Sequence, residues 1–209
     1  QIIEDATLLF HDGKIIAAGK NVSLPKLTQT FNYTGKHIYP SFIDLSSSYG
    51  QPAIESAPWS PQPQIERTRQ GAFGWNDAIH ADYAASYHFQ YNQDQAQGYI
   101  KAGFGTVLSH QKDGIVRGSG TLVALHDNEL KAVIKSQVSA HYSFEKGSSK
   151  QEFPNSLMGA IALLRQTYYD AQWYKISGIQ SERNLSLESF LQLQNFPSFF
   201  ETDDKWNGL

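Results

Sequence analysis

The 209-residue chain contains no cysteine and a single methionine. Without cysteine there can be no disulfide, no thiolate metal ligand and no cysteine nucleophile. Charge is scarce as well: 18% of residues are charged, the net charge is -3 and the pI is near 6.2. Such a chain has no basic footprint for nucleic acid or for an anionic membrane surface. Long apolar runs are missing. The longest, Leu157 to Leu164, is interrupted by Gly159 and falls far short of the ~20 residues that cross a bilayer. His80, His88, His126 and His141 show neither H-x-H nor H-E-x-x-H spacing, so each reads as a structural histidine. The chain opens on Gln1 rather than methionine and closes on Asn207-Gly208-Leu209 without a stop signal. We therefore expect a piece of a longer chain, whose remainder is its first partner; a homo-oligomer is the second option.

What is present suits a folded α/β chain. Hydrophobic residues make up 40%, ordinary for a globular protein, and the length suffices for a real core. Ala6 to Phe10 and Ile15 to Ala18 are short apolar runs flanking the hairpin-type turn His11-Asp12-Gly13-Lys14. A buried-looking strand follows at Pro40 to Asp44. Proline and glycine then crowd residues 50 to 77, predicting a long loop, and Asp77 to Tyr91 predicts a helix. Asp94 to Ala102 reads as a helix stopped by Gly103, followed by a strand from Phe104 to Ser109, the order of an α/β unit. A further strand is expected from Gly120 to Leu125, turning at His126-Asp127-Asn128, with extended segments at Val133 to Val138 and His141 to Phe144.

The strongest helix runs from Pro154 to about Lys175, capped by Asn155 or Ser156, with Leu157, Ala160, Ile161, Leu164, Tyr168 and Ala171 on its inner face. Its aromatics, Tyr168, Tyr169, Trp173 and Tyr174, read as core. A last helix follows Ser186 and ends at Pro197.

Two stretches carry a family likeness. Asp12-Gly13-Lys14-Ile15-Ile16-Ala17-Ala18-Gly19 and Gly35-Lys36-His37-Ile38-Tyr39-Pro40-Ser41-Phe42-Ile43-Asp44 resemble the amino-terminal signature of the amidohydrolase superfamily. There a "G-x-I-x-x-x-G" turn precedes "G-K-x-(V/I)-x-P-G-(F/L)-I-D-x-H-x-H". Ala102-Gly103-Phe104-Gly105-Thr106-Val107 resembles the family's entry to its second barrel strand. The nearest likeness within the superfamily is to imidazolonepropionase-like bacterial proteins.

The resemblance implies part of a small β-sandwich over residues 1–39. Over 40–209 it implies the first half of a (β/α)8 TIM-type barrel, incomplete because a whole barrel takes about 250 residues. It also implies a parent that hydrolyses C–N bonds of small non-peptide or cyclic amides, zinc or a similar divalent metal in that parent, and a periplasmic or secreted location.

The departure from the signature carries the functional argument. The positions of the two metal histidines are held by Ser46 and Ser48. A neutral hydroxyl is a far poorer zinc ligand than imidazole, so no metal or other cofactor is expected in this segment and no catalytic residue is assigned. The rival reading is a binding or scaffold module without hydrolase activity. A serine nucleophile within Asp44-Leu45-Ser46-Ser47-Ser48 is disfavoured because no G-x-S-x-G turn surrounds it. His110, at the end of a strand, with Asp113 and Arg117 in the loop after it, are the pocket candidates. Arg117-Gly118-Ser119-Gly120 and Lys146-Gly147-Ser148-Ser149-Lys150 read as tight turns rather than phosphate cradles.

Overall fold

A computed structural model describes residues 2–55, 69, 71–126, 131–177 and 183–202. The chain divides into two compact units, Gln1–Pro40 and Ser41–Leu209. In the first, β1 (Thr7–His11) and β2 (Lys14–Gly19) pair antiparallel. Asp12 and Gly13 at the turn both have positive φ, 50° and 71°, the conformation for which Asp-Gly is favoured in two-residue hairpins.

The second unit is a mixed α/β half-barrel, a curled five-stranded sheet with order β3-β4-β5-β6-β7. The strands are β3 (Phe42–Ser47), β4 (Phe104–Ser109), β5 (Val116–Ala124), β6 (Val133–Ser143) and β7 (Ser198–Glu201). β3 pairs with β4 and β6 with β7 in parallel, whereas β5 runs antiparallel to both of its neighbours. Parallel pairs need crossovers, and helices supply them: α1 (Ala85–His88) and α2 (Gln93–Lys101) lie between β3 and β4, α3 (Leu157–Ser177) and α4 (Leu185–Leu193) between β6 and β7. Asn92 and Asn184 cap α2 and α4 by accepting from the amides of Gln95 (3.0 Å) and Leu187 (3.1 Å).

Two cores lie on the helical side of this sheet. One packs Ala96 of α2 with Tyr49, Val107 and Val123. The other packs Ala160, Leu163 and Ala171 of α3 and Phe190 of α4 with Val116, Ala140 and Tyr142. Since Ala140 and Tyr142 face the helices, strand alternation sends Ser139, His141 and Ser143 to the opposite face.

Several expectations need correction. Asp77 to Tyr91 is helical only at Ala85–His88, because β5 claims the backbone groups before it. His80 N donates to Val116 O (2.8 Å), Ile115 N to Ala78 O (2.8 Å) and Ser119 N to Tyr83 O (2.9 Å). Arg117-Gly118-Ser119-Gly120 is strand rather than turn. Gly118 sits there at a register shift with φ 80°, and a Cβ on it would lie 2.0 Å from Tyr83 O. The segments 133–138 and 141–144 merge into one strand ending at Ser143. The last helix ends at Leu193, and Pro197 instead leads into the unexpected strand β7, its carbonyl accepting from Ala140 N.

On α3 the buried residues are Ala160, Leu163, Thr167 and Ala171. Leu157, Ile161, Tyr168, Tyr169 and Trp173 face outward instead. Asp127 and Asn128 of the expected turn, and half of the proline-rich loop, lie outside the described residues.

Gln51 holds the turn after β3 to this scaffold. Its amide nitrogen donates to Ser109 Oγ (2.8 Å) and Ala85 O (3.2 Å), and its carbonyl accepts from Tyr83 OH (2.9 Å). Gln51→Leu should therefore remove the partner of Tyr83 OH and of Ala85 O, while Ser109 Oγ keeps its bond to Tyr49 O, and lower stability by about 1–3 kcal/mol, measured by urea unfolding. An unchanged midpoint would show that water replaces the side chain.

Candidate functional site

Parallel β3, β4, β6 and β7 end on the same side of the sheet, where β5 begins, and their terminal residues gather polar chemistry. His110 immediately follows β4. Its Nδ1 lies 3.0 Å from Gln111 O, which assigns the proton to Nδ1 and turns the Nε2 lone pair toward Ser46 Oγ, 3.4 Å away. The His110 ring stacks on His141 of β6 with centroids 3.7 Å apart and planes 10° from parallel. His141 stacks in turn on Phe199 of β7 at 5.3 Å. Ser139 Oγ meets His141 Nε2 at 2.8 Å. Gly120 makes room for this contact: a Cβ there would lie 2.5 Å from Ser139 Oγ and 2.6 Å from His141 Nε2.

Beside the rings lies a buried cation. Arg117, 6% exposed, donates through Nε to Gly114 O and through Nη1 to Glu201 Oε2. Lys112 Nζ is 3.7 Å from the other Glu201 oxygen. Burial is the main cause that pushes His110 down to about 4, helped by Arg117 and Lys112 and opposed by its backbone bond and Glu201. Burial pushes His141 down to about 3, aided by its neighbour His110 and the same two cations. Both imidazoles are neutral at pH 7.

Of the pocket candidates, His110 and Arg117 share this cluster. Asp113 belongs to a neighbouring latch: it accepts from Ser148 N (2.6 Å) and Ser148 Oγ (2.7 Å) and lies 3.6 Å from His80 Nε2. Ser46 joins His110, whereas Ser48 leads the turn in which its carbonyl accepts from Gln51 N.

The cluster has clear chemical limits. A Ser46 nucleophile would have to hand its proton to His110, creating an imidazolium that is buried and faces two cations. Burial, Arg117 and Lys112 disfavour that imidazolium, while Glu201 opposes them. A zinc-type ion does not fit these donors either. Each imidazole lone pair lies in its own ring plane, and the near-parallel rings, 3.7 Å apart at their centroids, do not converge on one ion as zinc's ligands, at about 2.0–2.1 Å, must. Among the described residues no three His, Asp or Glu side chains are arranged to hold an ion.

No family model matches this chain, and no curated protein does. A solved structure does: the crystal structure of an amidohydrolase from Thermotoga maritima MSB8, with TM-score 0.67 and 18% identity. What the two share is a fold. The likeness covers 96% of this chain and 54% of that one, so this chain spans about half the length of the amidohydrolase. At this identity the likeness shows a shared fold and no more.

His141, Ser139, Phe199 and Glu201 were not singled out by their sequence. A signal existed for the first two: in Ser139-Ala140-His141-Tyr142-Ser143, polar and apolar residues alternate with a strand's period. Glu201 had none, since its strand is four residues long and its role depends on Arg117.

Two outcomes test this geometry. In the unfolded chain histidines protonate near pH 6.5, while in the fold His110 and His141 stay neutral down to about 4 and 3. Their stabilising contribution is thus fully present above pH 6.5 and is lost as pH falls toward 4. Tm should drop between pH 6.5 and 4.5, less steeply in the His110→Gln/His141→Gln variant; equal slopes would contradict the assignment. Gly120→Ala should cost about 1–3 kcal/mol by overpacking. Gly98→Ala, on an open helix surface, should gain up to about 1 kcal/mol; equal effects by urea unfolding would argue against the close fit at His141.

Proposed function

We propose that this chain is the opening half of an amidohydrolase-like protein whose metal chemistry resides in sequence outside these residues. The parent, in this reading, is imidazolonepropionase-like, periplasmic or secreted, and uses metal-activated water to hydrolyse the C–N bond of a small non-peptide or cyclic amide. The present half contributes barrel strands and a non-catalytic strand-end layer. The reading is supported by Ser46: the resemblance at strand 1 would put a metal histidine at this position, and its hydroxyl instead meets His110 Nε2, in a fold similar to an amidohydrolase's. The open edge of β3, where Ile43 and Leu45 are more than half exposed, is where the remainder of the chain would complete a TIM-type barrel.

A second reading, a binding or scaffold module without hydrolase activity, is favoured by one feature. The charges at the strand ends are satisfied internally, Arg117 and Lys112 both by Glu201.

Metal content separates the two. The full-length protein should hold no ion at strand 1, and Ser46→His with Ser48→His should raise zinc uptake if the other ligands persist elsewhere. A gain of about 10–100-fold or more in affinity is expected, since even outer-shell changes have effects of that size. Zinc, iron or manganese found coordinated by Ser46 or Ser48 in the unmutated protein would overturn the proposal. A full-length protein that neither binds metal nor hydrolyses amides would favour the scaffold.

A further inference from the structure

α3 is apolar on both sides. Its inner face packs Ala160, Leu163 and Ala171 into the core. Its outer face carries Met158, Ile161, Tyr169, Trp173 and Ile176, with exposures from 39% at Ile161 to 82% at Met158 and Ile176. A helix that is hydrophobic all round is normally buried all round, and this one is 21 residues long, about 30 Å. Nothing among the described residues covers the stripe.

We propose that the stripe is a dimer interface, on which α3 of a second copy packs antiparallel about a two-fold axis. The evidence is the order of the side chains. Thr167 is the midpoint of Leu157–Ser177, and the outward residues are distributed evenly about it. Met158 and Ile176 stand nine residues either side, Ile161 and Trp173 six, Arg165 and Tyr169 two. An antiparallel pair therefore sets Met158 on Ile176 of the partner subunit, Ile161 on its Trp173, and the Arg165 guanidinium on its Tyr169 ring, a cation–π arrangement. Each contact occurs twice, as a two-fold interface requires. A parallel pair would oppose Arg165 to its own copy instead.

Size and composition agree. Side chains of these types offer on the order of 700 Å² per copy, comparable with the ~800 Å² that each partner contributes to a standard interface. Tyr, Trp and Met are residues enriched at interface cores. A lipid surface fits less well, because it calls for a row of Lys and Arg beside the apolar stripe, and the middle of this helix holds one Arg (Arg165) and one Asp (Asp170). The inference does not depend on the metal question.

The test uses the full-length protein in sedimentation equilibrium. The wild type should be a dimer, and Tyr169→Glu/Trp173→Glu should weaken association at least 100-fold. These side chains are exposed, so far-UV circular dichroism should be unchanged and would distinguish lost association from lost folding. These 209 residues contain no cysteine, so an orientation test needs only the thiols of the remaining chain replaced by serine. Met158→Cys and Ile176→Cys proteins, mixed and oxidised, should cross-link to each other and neither to itself. A monomeric wild type would overturn the proposal, whether the stripe is covered by its own remaining chain or by added lipid vesicles. So would a dimer that survives the double glutamate variant, or cross-linking of either cysteine variant with itself.

Discussion

Arg117 is a cation that the fold has buried, and the arrangement at the strand ends follows from neutralising it. A guanidinium out of water needs a hydrogen-bonded anion. Glu201 supplies one from a strand only four residues long, so β7 is held in the sheet by an ion pair as well as by its ladder with β6. With Lys112 also nearby, the region favours neutral groups over further positive charge. That keeps His110 and His141 uncharged, and uncharged imidazoles can stack at 3.7 Å where two imidazolium rings would repel. Phe199, from the same strand as Glu201, closes the stack.

This self-sufficiency bears on what the half-barrel can do. At its strand ends, polar groups spend their hydrogen-bonding capacity on one another. Ser46 meets His110, Ser139 meets His141, and Asp113 binds Ser148. Ser46 and the side chains around it form a packed polar layer. The strand ends of this half-barrel are held together by stacking and an internal ion pair.

Much of the scaffold could be read from local chemistry. Asp12-Gly13 announced its hairpin because that turn demands two residues of positive φ, and the segment from Asp94 to Ser109 carried helix, glycine stop and strand in order. The failures occurred where distant partners decide. Residues 78 to 84 have a helix-like composition, but their backbone groups bond to β5. Gly118 looks like a turn glycine and is a strand bulge. His141 gains its meaning only when β4 brings His110 against it. The face of α3 was mistaken because both of its sides are apolar, so periodicity could not choose between them.

The single strand that runs against the others has a consequence for assembly. β4, β5 and β6 form a meander whose pairings are local: Ser109 meets Thr121, and Val123 meets Val133. The parallel pairings at the two margins join Phe42 to Phe104 and Ala140 to Ser198, and each must first close a loop several times longer. Loop closure of that length costs about 1–1.5 kcal/mol more per pairing. The reversed strand thus gives an otherwise non-local architecture a centre of low contact order. The margins can be added to that centre after it has formed.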